Sequence, residues 1–236
     1  MLEILLFQNP LNSKLLFVTY PSVVITNRIL AKTSSSSGDP HFFGILGQKY
    51  DVMGESFEIY NIISAPSLQI NSRFTPYYKT ATQTTPTGTM LGELGFKFNA
   101  HTAIFNSNST VAVIDGQNVD LSQDWEMTFN DVKLKLVATN KKHYEIVLTT
   151  PDLVITFVRK VYMVSGLEPQ FHFDYKLRQL RPNRELHGLL GQTWEDKVFT
   201  DKKGAFQYLD GYEDDYRIKS NSLLGDDFKY NKFMNM

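Results

Sequence analysis

Apolar and charged side chains alternate through Val132-Lys133-Leu134-Lys135-Leu136, and Val137 ends the run. Successive side chains of a strand point to opposite faces, so this period of two predicts a strand with one buried and one wet face. The pattern recurs at residues 143–148, 153–158 and 171–177, the first two joined through Pro151-Asp152. Upstream, residues 57–63, 68–74, 94–98, 103–105 and 111–114 form short apolar or alternating runs. Asp115-Gly116 is a hairpin turn signal between apolar runs. Residues 80–89, rich in Thr with Pro86 and Gly88, read as a loop. No stretch before residue 180 shows a helical period with caps. The expectation is an all-β domain, an antiparallel β-sandwich built from hairpins and meanders, with a loop-rich, partly irregular C-terminal segment.

That last segment, after residue 180, is charged and aromatic, with the run Asp210-Gly211-Tyr212-Glu213-Asp214-Asp215-Tyr216 and then Gly225-Asp226-Asp227-Phe228. It is expected to wrap the sandwich rather than fold separately. At the other end, Ser34 to Ser37 mark a flexible junction, which divides the chain into a flanking segment, 1–37, and a domain, 38–233. Residues 15–25 have the length of a signal-peptide core, with Lys14 before them, but Pro21 interrupts them and no clean cleavage site follows. They read as a flanking strand or a degenerate signal. No apolar run has membrane-spanning length, so no transmembrane segment is expected.

The 236 residues carry a formal net charge of −1, which provides no basic field for nucleic acid or an anionic membrane. The absence of cysteine removes disulfides, thiolate metal sites and a cysteine nucleophile. It fits an intracellular setting while leaving secretion open to a domain of this size. Asn108-Ser109-Thr110 is a glycosylation sequon with Asn108 as acceptor.

Two separated motifs carry a resemblance. Gly38-Asp39-Pro40-His41-Phe42, followed by Gly47-Gln48-Lys49-Tyr50-Asp51, resembles the opening of a von Willebrand factor type D domain. Leu186-His187-Gly188-Leu189-Leu190-Gly191-Gln192 resembles its closing segment, in the form seen in the C-terminal region of inter-alpha-trypsin inhibitor heavy chains. The tail around Glu213-Asp214-Asp215-Tyr216-Arg217 and Phe228-Lys229-Tyr230 is similar to plant root-cap and late-embryogenesis-type relatives. The resemblance implies a non-enzymatic extracellular or cell-surface module for a protein or glycan partner. An intracellular stress or late-embryogenesis-type protein is the alternative, and a carbohydrate-active β-sandwich enzyme a third reading, which would need two facing carboxylates. Many relatives hold calcium, but this chain places Leu46, Gln192 and Trp194 at the corresponding positions. Leucine and tryptophan offer no oxygen ligand, so no calcium or other cofactor is expected.

In the family the Asp-Pro bond of the opening motif is cut, which makes Asp39 the candidate acyl donor and Pro40 the new N-terminus. The chemistry is intrinsic to the pair: the Asp39 carboxylate attacks its own carbonyl carbon, an anhydride forms, and the proline nitrogen leaves. His41 is the candidate proton donor to that nitrogen. The plainer reading is a tight turn capped by Asp39. Asp210, Glu213, Asp214, Asp215, Asp226 and Asp227 fit no EF-hand spacing and read as a solvated acidic face. His172 should point to the polar side of its strand, and His187 should make a structural hydrogen bond. Trp194, Tyr208, Tyr212 and Tyr216 are candidates for stacking on sugar rings, with core packing the simpler role.

Overall fold

A computed structural model describes residues 41–140, 143–179, 185–194, 199–200 and 206–233. The strands are β1 (His41–Phe43), β2 (Lys49–Asp51), β3 (Ile59–Ala65), β4 (Leu68–Tyr77), β5 (Gly88–Phe98), β6 (His101–Asn106), β7 (Val111–Ile114), β8 (Gln117–Asp120), β9 (Trp125–Phe129), β10 (Val132–Asn140), β11 (His143–Thr149), β12 (Leu153–Tyr162) and β13 (Gln170–Gln179). A single helical turn, α1 (Gly188–Gly191), precedes the two-residue strands β14 (Phe199–Thr200) and β15 (Phe206–Gln207). The fold is all-β and antiparallel.

β3 to β13 form one eleven-stranded sheet that branches at β5. One edge of β5 pairs along its length with β4. The other edge pairs with β6 over Glu93 to Phe98 and meets β13 at a single position, Phe173 opposite Leu91. This narrow joint lets one wing, β3 to β8, fold over the other, β9 to β13. Their inner faces meet through Phe96 on Phe157 at 5.7 Å and Phe98 on Phe129 at 5.1 Å between ring centroids. All these rings except the half-buried Phe129 are fully buried, and each buried phenyl contributes about 2–3 kcal/mol. The sandwich is therefore a single sheet turned on itself at β5.

In β10, Val132, Leu134 and Leu136 are buried while Lys133 and Lys135 are exposed. β5 begins six residues earlier than its apolar run, because both of its faces are covered and its sequence does not alternate. The inner face carries Leu94, Phe96 and Phe98. The outer face carries Gly95 and Lys97, which lie beneath the C-terminal segment. The Asp115-Gly116 turn has positive φ at both residues, 47° and 76°, as a tight hairpin needs. His172 does alternate away from Phe173, but its face is covered: the ring is buried, 3.5 Å from the Asp174 carboxylate.

The tail from residue 208 to 233 lies as an irregular strap across the outer face of β3, β4 and β5. That face is polar and buried, with Asn61, Gln69 and Asn71 upon it. Asn71 Nδ2 donates to the carbonyls of Leu223 and Gly225, both at 2.9 Å, and Gln69 Nε2 also donates to Gly225. Lys97 pairs with Asp226 at 2.9 Å, and Arg73 donates to Asn221 Oδ1 at 2.8 Å. Ile218 and Phe228 close over Ile59 in a small apolar cluster. Gly95 is required here, since a Cβ at that position would run into the Leu223 carbonyl.

Gly95→Val therefore reports on the strap. Valine suits a strand, so destabilisation by about 1–3 kcal/mol, with new protease cuts confined to residues 219–225, is the expected outcome in denaturation and limited proteolysis. A second test concerns Tyr144, whose hydroxyl is buried with no hydrogen-bond partner among the described residues. Burial pushes this phenol up from 10.0 to about 12, against the opposing pull of Arg159. The folded state holds the proton more tightly, so this contribution to stability is complete below pH 10 and is lost as pH rises through about 12. Tyr144→Phe should leave stability at neutral pH intact and flatten the alkaline fall in denaturation curves measured against pH.

Candidate functional site

The opening hairpin and the HGLLGQ segment, separated by 145 residues, are in direct contact. His187 begins the contact by pairing its backbone with Ser64 at the edge of β3, through two hydrogen bonds of 2.8 Å. The chain then turns through Gly188 at φ 97°, where a Cβ would meet the Ile62 carbonyl oxygen at 2.7 Å and strike the Asn61 side chain. Only glycine fits both that conformation and that space. His187 Nδ1 accepts from Gly188 N at 2.9 Å, which caps α1 and leaves the neutral ring's proton on Nε2. The ring stacks on Tyr230 at 4.6 Å and Tyr216 at 5.9 Å.

Leu189 and Leu190 enter the core, and the Leu189 carbonyl accepts from the Tyr50 hydroxyl of β2. Thr193 accepts from Ile45 N at 2.9 Å through its hydroxyl, and its carbonyl accepts from Gln48 Nε2 at 3.0 Å. Phe42 packs between Tyr50 and Tyr175. Gln192 holds the tail: its Oε1 accepts from Asp210 N at 2.7 Å and from the Tyr216 hydroxyl at 3.1 Å, while Nε2 donates to Leu189 O at 3.3 Å. Its carboxamide is thereby occupied by protein groups. Burial is the main force holding the Tyr216 hydroxyl protonated, with Tyr230 and Asp210 adding to it. Leu46 stands at the tip of the hairpin, 53% exposed. Gly191, the last residue of α1, is buried.

Gly38, Asp39 and Pro40, and the segment 1–37, lie outside the described residues. The backbone of His41 is paired with Asp51 at the start of β1. Asn108 is exposed in the turn between β6 and β7, with its backbone N–H bound to Asn106 Oδ1 at 2.8 Å.

The acidic tail is wired into the fold. Glu213 accepts from the backbone N–H groups of Met53 and Gly54, each at 3.0 Å, and Asp214 pairs with Arg217 at 2.8 Å. Asp215 accepts from Tyr212 N and Lys229, both at 3.0 Å. Burial opposes ionisation of Asp215, but those two partners outweigh it and hold the carboxyl below its usual range. Among the described residues no group of three or more His, Asp or Glu could hold a metal ion.

Sequence reasoning missed the cleft that these contacts create. It lies between β2 and tail residues 208–214, has a volume of about 670 Å³ and opens to solvent. Lys49, Tyr50 and Asp51 form one wall; Tyr208, Tyr212, Glu213 and Asp214 line the other. Of the four aromatic candidates, Tyr208 and Tyr212 face this cleft, the latter 46% exposed. Tyr216 is instead fully buried, because its hydroxyl anchors the Asp210 carbonyl at 2.6 Å. Trp194 packs half-buried against the core.

No protein-family model matches this chain, and no curated protein matches it at a significant level.

The two glycines of α1 separate the conformational demand from mere burial. Gly188→Ala should cost about 2–4 kcal/mol through the left-handed backbone and the collision at Ile62. Gly191→Ala, whose Cβ would meet nothing closer than 3.5 Å, should be close to neutral in the same urea titration.

Proposed function

We propose that this chain is a non-enzymatic interaction module of the von Willebrand factor type D-like kind, acting outside the cell or at its surface on a protein or glycan partner. The observation that carries the reading is the direct packing of its two motif halves: Tyr50 on Leu189, and Gln48 and Ile45 on Thr193. Residues so far apart in sequence that also bear the family pattern pack into one platform, and the open cleft lies beside it. The state of the cleft carboxylates favours binding over glycoside hydrolysis. Two of the three, Glu213 and Asp214, hold backbone N–H groups and Arg217 and leave Asp51 as the third, whereas hydrolysis needs a pair of carboxyl groups free to exchange protons.

The same reading makes Asp39–Pro40 a self-cleaving bond. It stands one peptide link before His41, whose backbone register against Asp51 is fixed. Attack by the Asp39 carboxylate breaks the C–N bond to Pro40. The nitrogen takes a proton, and water opens the anhydride to leave a free carboxyl terminus at Asp39.

Intact mass after incubation between about pH 5 and 7 tests the step, this being the range in which a histidine donor changes charge. A split into 1–39 and 40–236 that Asp39→Asn abolishes is expected; an unchanged mass throughout removes self-cleavage from the proposal. A tag on the full-length product tests the setting, and retention in the cytosol would overturn it.

A further inference from the structure

The chemistry of the cleft walls narrows the class of partner. We propose that the cleft between β2 and residues 208–214 binds a neutral oligosaccharide; this rests on reading the cleft as the partner site. Three features converge on that class.

The first is the aromatic wall. Tyr212 stands at the rim, 46% exposed, on a backbone fixed by the hydrogen bond from its N–H to Asp215 at 3.0 Å. The preceding residue, Gly211, has φ 84°, and a Cβ there would strike Asp215 and the Tyr230 hydroxyl. The loop conformation is thus set before any ligand arrives, and Tyr208 adds a second ring on the same wall. A phenol ring offers a flat apolar face to the C–H face of a pyranose and a hydroxyl to its rim.

The second is the way the polar groups are held. The Glu213 and Asp214 carboxylates are immobilised by Met53, Gly54 and Arg217. Each carboxylate has about four lone-pair directions, so fixed oxygens with acceptor capacity remain for ligand hydroxyls. Lys49 supplies donors from the facing wall, its ammonium 5.3 Å above the Phe43 ring. Pre-positioned polar groups lower the ordering cost of binding a flexible chain.

The third is charge. A sulfated or uronic glycan entering the cleft would face Asp51, Glu213 and Asp214 together. A polycation would find Glu213 and Asp214 already engaged by Met53, Gly54 and Arg217, and would face Lys49 on the other wall. A ligand whose groups both donate and accept, without net charge, satisfies both walls. The cleft volume of about 670 Å³ falls within the range of small-ligand sites, and its open side lets a chain run past.

Isothermal titration of the full chain provides the test. The probes are neutral hexasaccharides (cello-, xylo-, manno- and chito-oligomers), a heparin hexasaccharide and a hexalysine peptide. Binding of at least one neutral probe is expected, weakened about tenfold or more by Tyr212→Ala, since the ring supplies most of the apolar contact. The exposed position of Tyr212 predicts an unchanged thermal midpoint for that variant. Binding of heparin or hexalysine alone, sensitive to Tyr212→Ala, would overturn the neutral class while keeping the cleft as the partner site. Binding of a neutral probe indifferent to both Tyr212→Ala and Tyr208→Ala would overturn the cleft assignment itself. Failure of every neutral probe to bind would overturn the inference.

Discussion

The antiparallel bridge between Ser64 and His187 is the constraint from which the rest of the site follows. Two backbone hydrogen bonds of 2.8 Å satisfy part of the outer edge of β3, which would otherwise present unpaired N–H and C=O groups. They also fix where the chain re-enters the sheet. With His187 held there, Gly188 must turn against Ile62, Leu189 and Leu190 fall into the core, and Gln192 and Thr193 emerge facing the tail and the opening hairpin. Neither contact surface of the cleft would have a defined position without that bridge.

The strap on the other side of β3 obeys a different logic. A sheet face bearing Asn61, Gln69 and Asn71 cannot be sealed by an apolar layer, because each amide would lose its hydrogen bonds on burial. An irregular segment solves this by turning its own carbonyls toward the amides, as Leu223 and Gly225 do for Asn71. The match is incomplete: Asn61 Oδ1 and Gln69 Oε1 are buried without a partner among the described residues. The unpaired Gln69 Oε1 weighs against the strap, since an unsatisfied buried acceptor costs about 1–3 kcal/mol. Charged clips at its margin, such as Lys97 with Asp226 and Lys229 with Asp215, hold it in register rather than supply most of its stability.

Where one face of a strand is wet, the sequence made the strand legible. β10 to β12 could be read from their alternation because a two-faced environment imposes a period of two. The start of β5 could not, because Thr89, Met90 and Leu91 are all buried, with Thr89 bound to the Met53 carbonyl. β9 carries the same signal: Trp125-Glu126-Met127-Thr128-Phe129 alternates, and Asn130, at φ 54°, begins the turn after it. The two site motifs were legible as patterns, but their contact was not, since nothing local in Gln48 or Thr193 encodes the other. Tyr216 and Tyr212 are alike in composition and neighbourhood. Only the hydrogen bonds of the Tyr216 hydroxyl to Asp210 and Gln192 decide which ring is buried and which is presented.

The acidic tail shows why composition alone misleads about chemistry. Six carboxylates within eighteen positions read from sequence as a solvated acidic face, since they fit no EF-hand spacing. In the fold all six have separate partners: Asp210 lies 3.9 Å from His187, Glu213 caps Met53 and Gly54, Asp214 meets Arg217, Asp215 meets Lys229, Asp226 meets Lys97 and Asp227 meets Ser220. A cation site demands that several carboxylates converge on one point, whereas these diverge to fasten different elements. The consequence for function is that negative charge on the cleft wall is a by-product of fastening. In the proposed binding cleft, ligand selection would fall to the rings of Tyr208 and Tyr212 and to the acceptor capacity the fasteners leave unused.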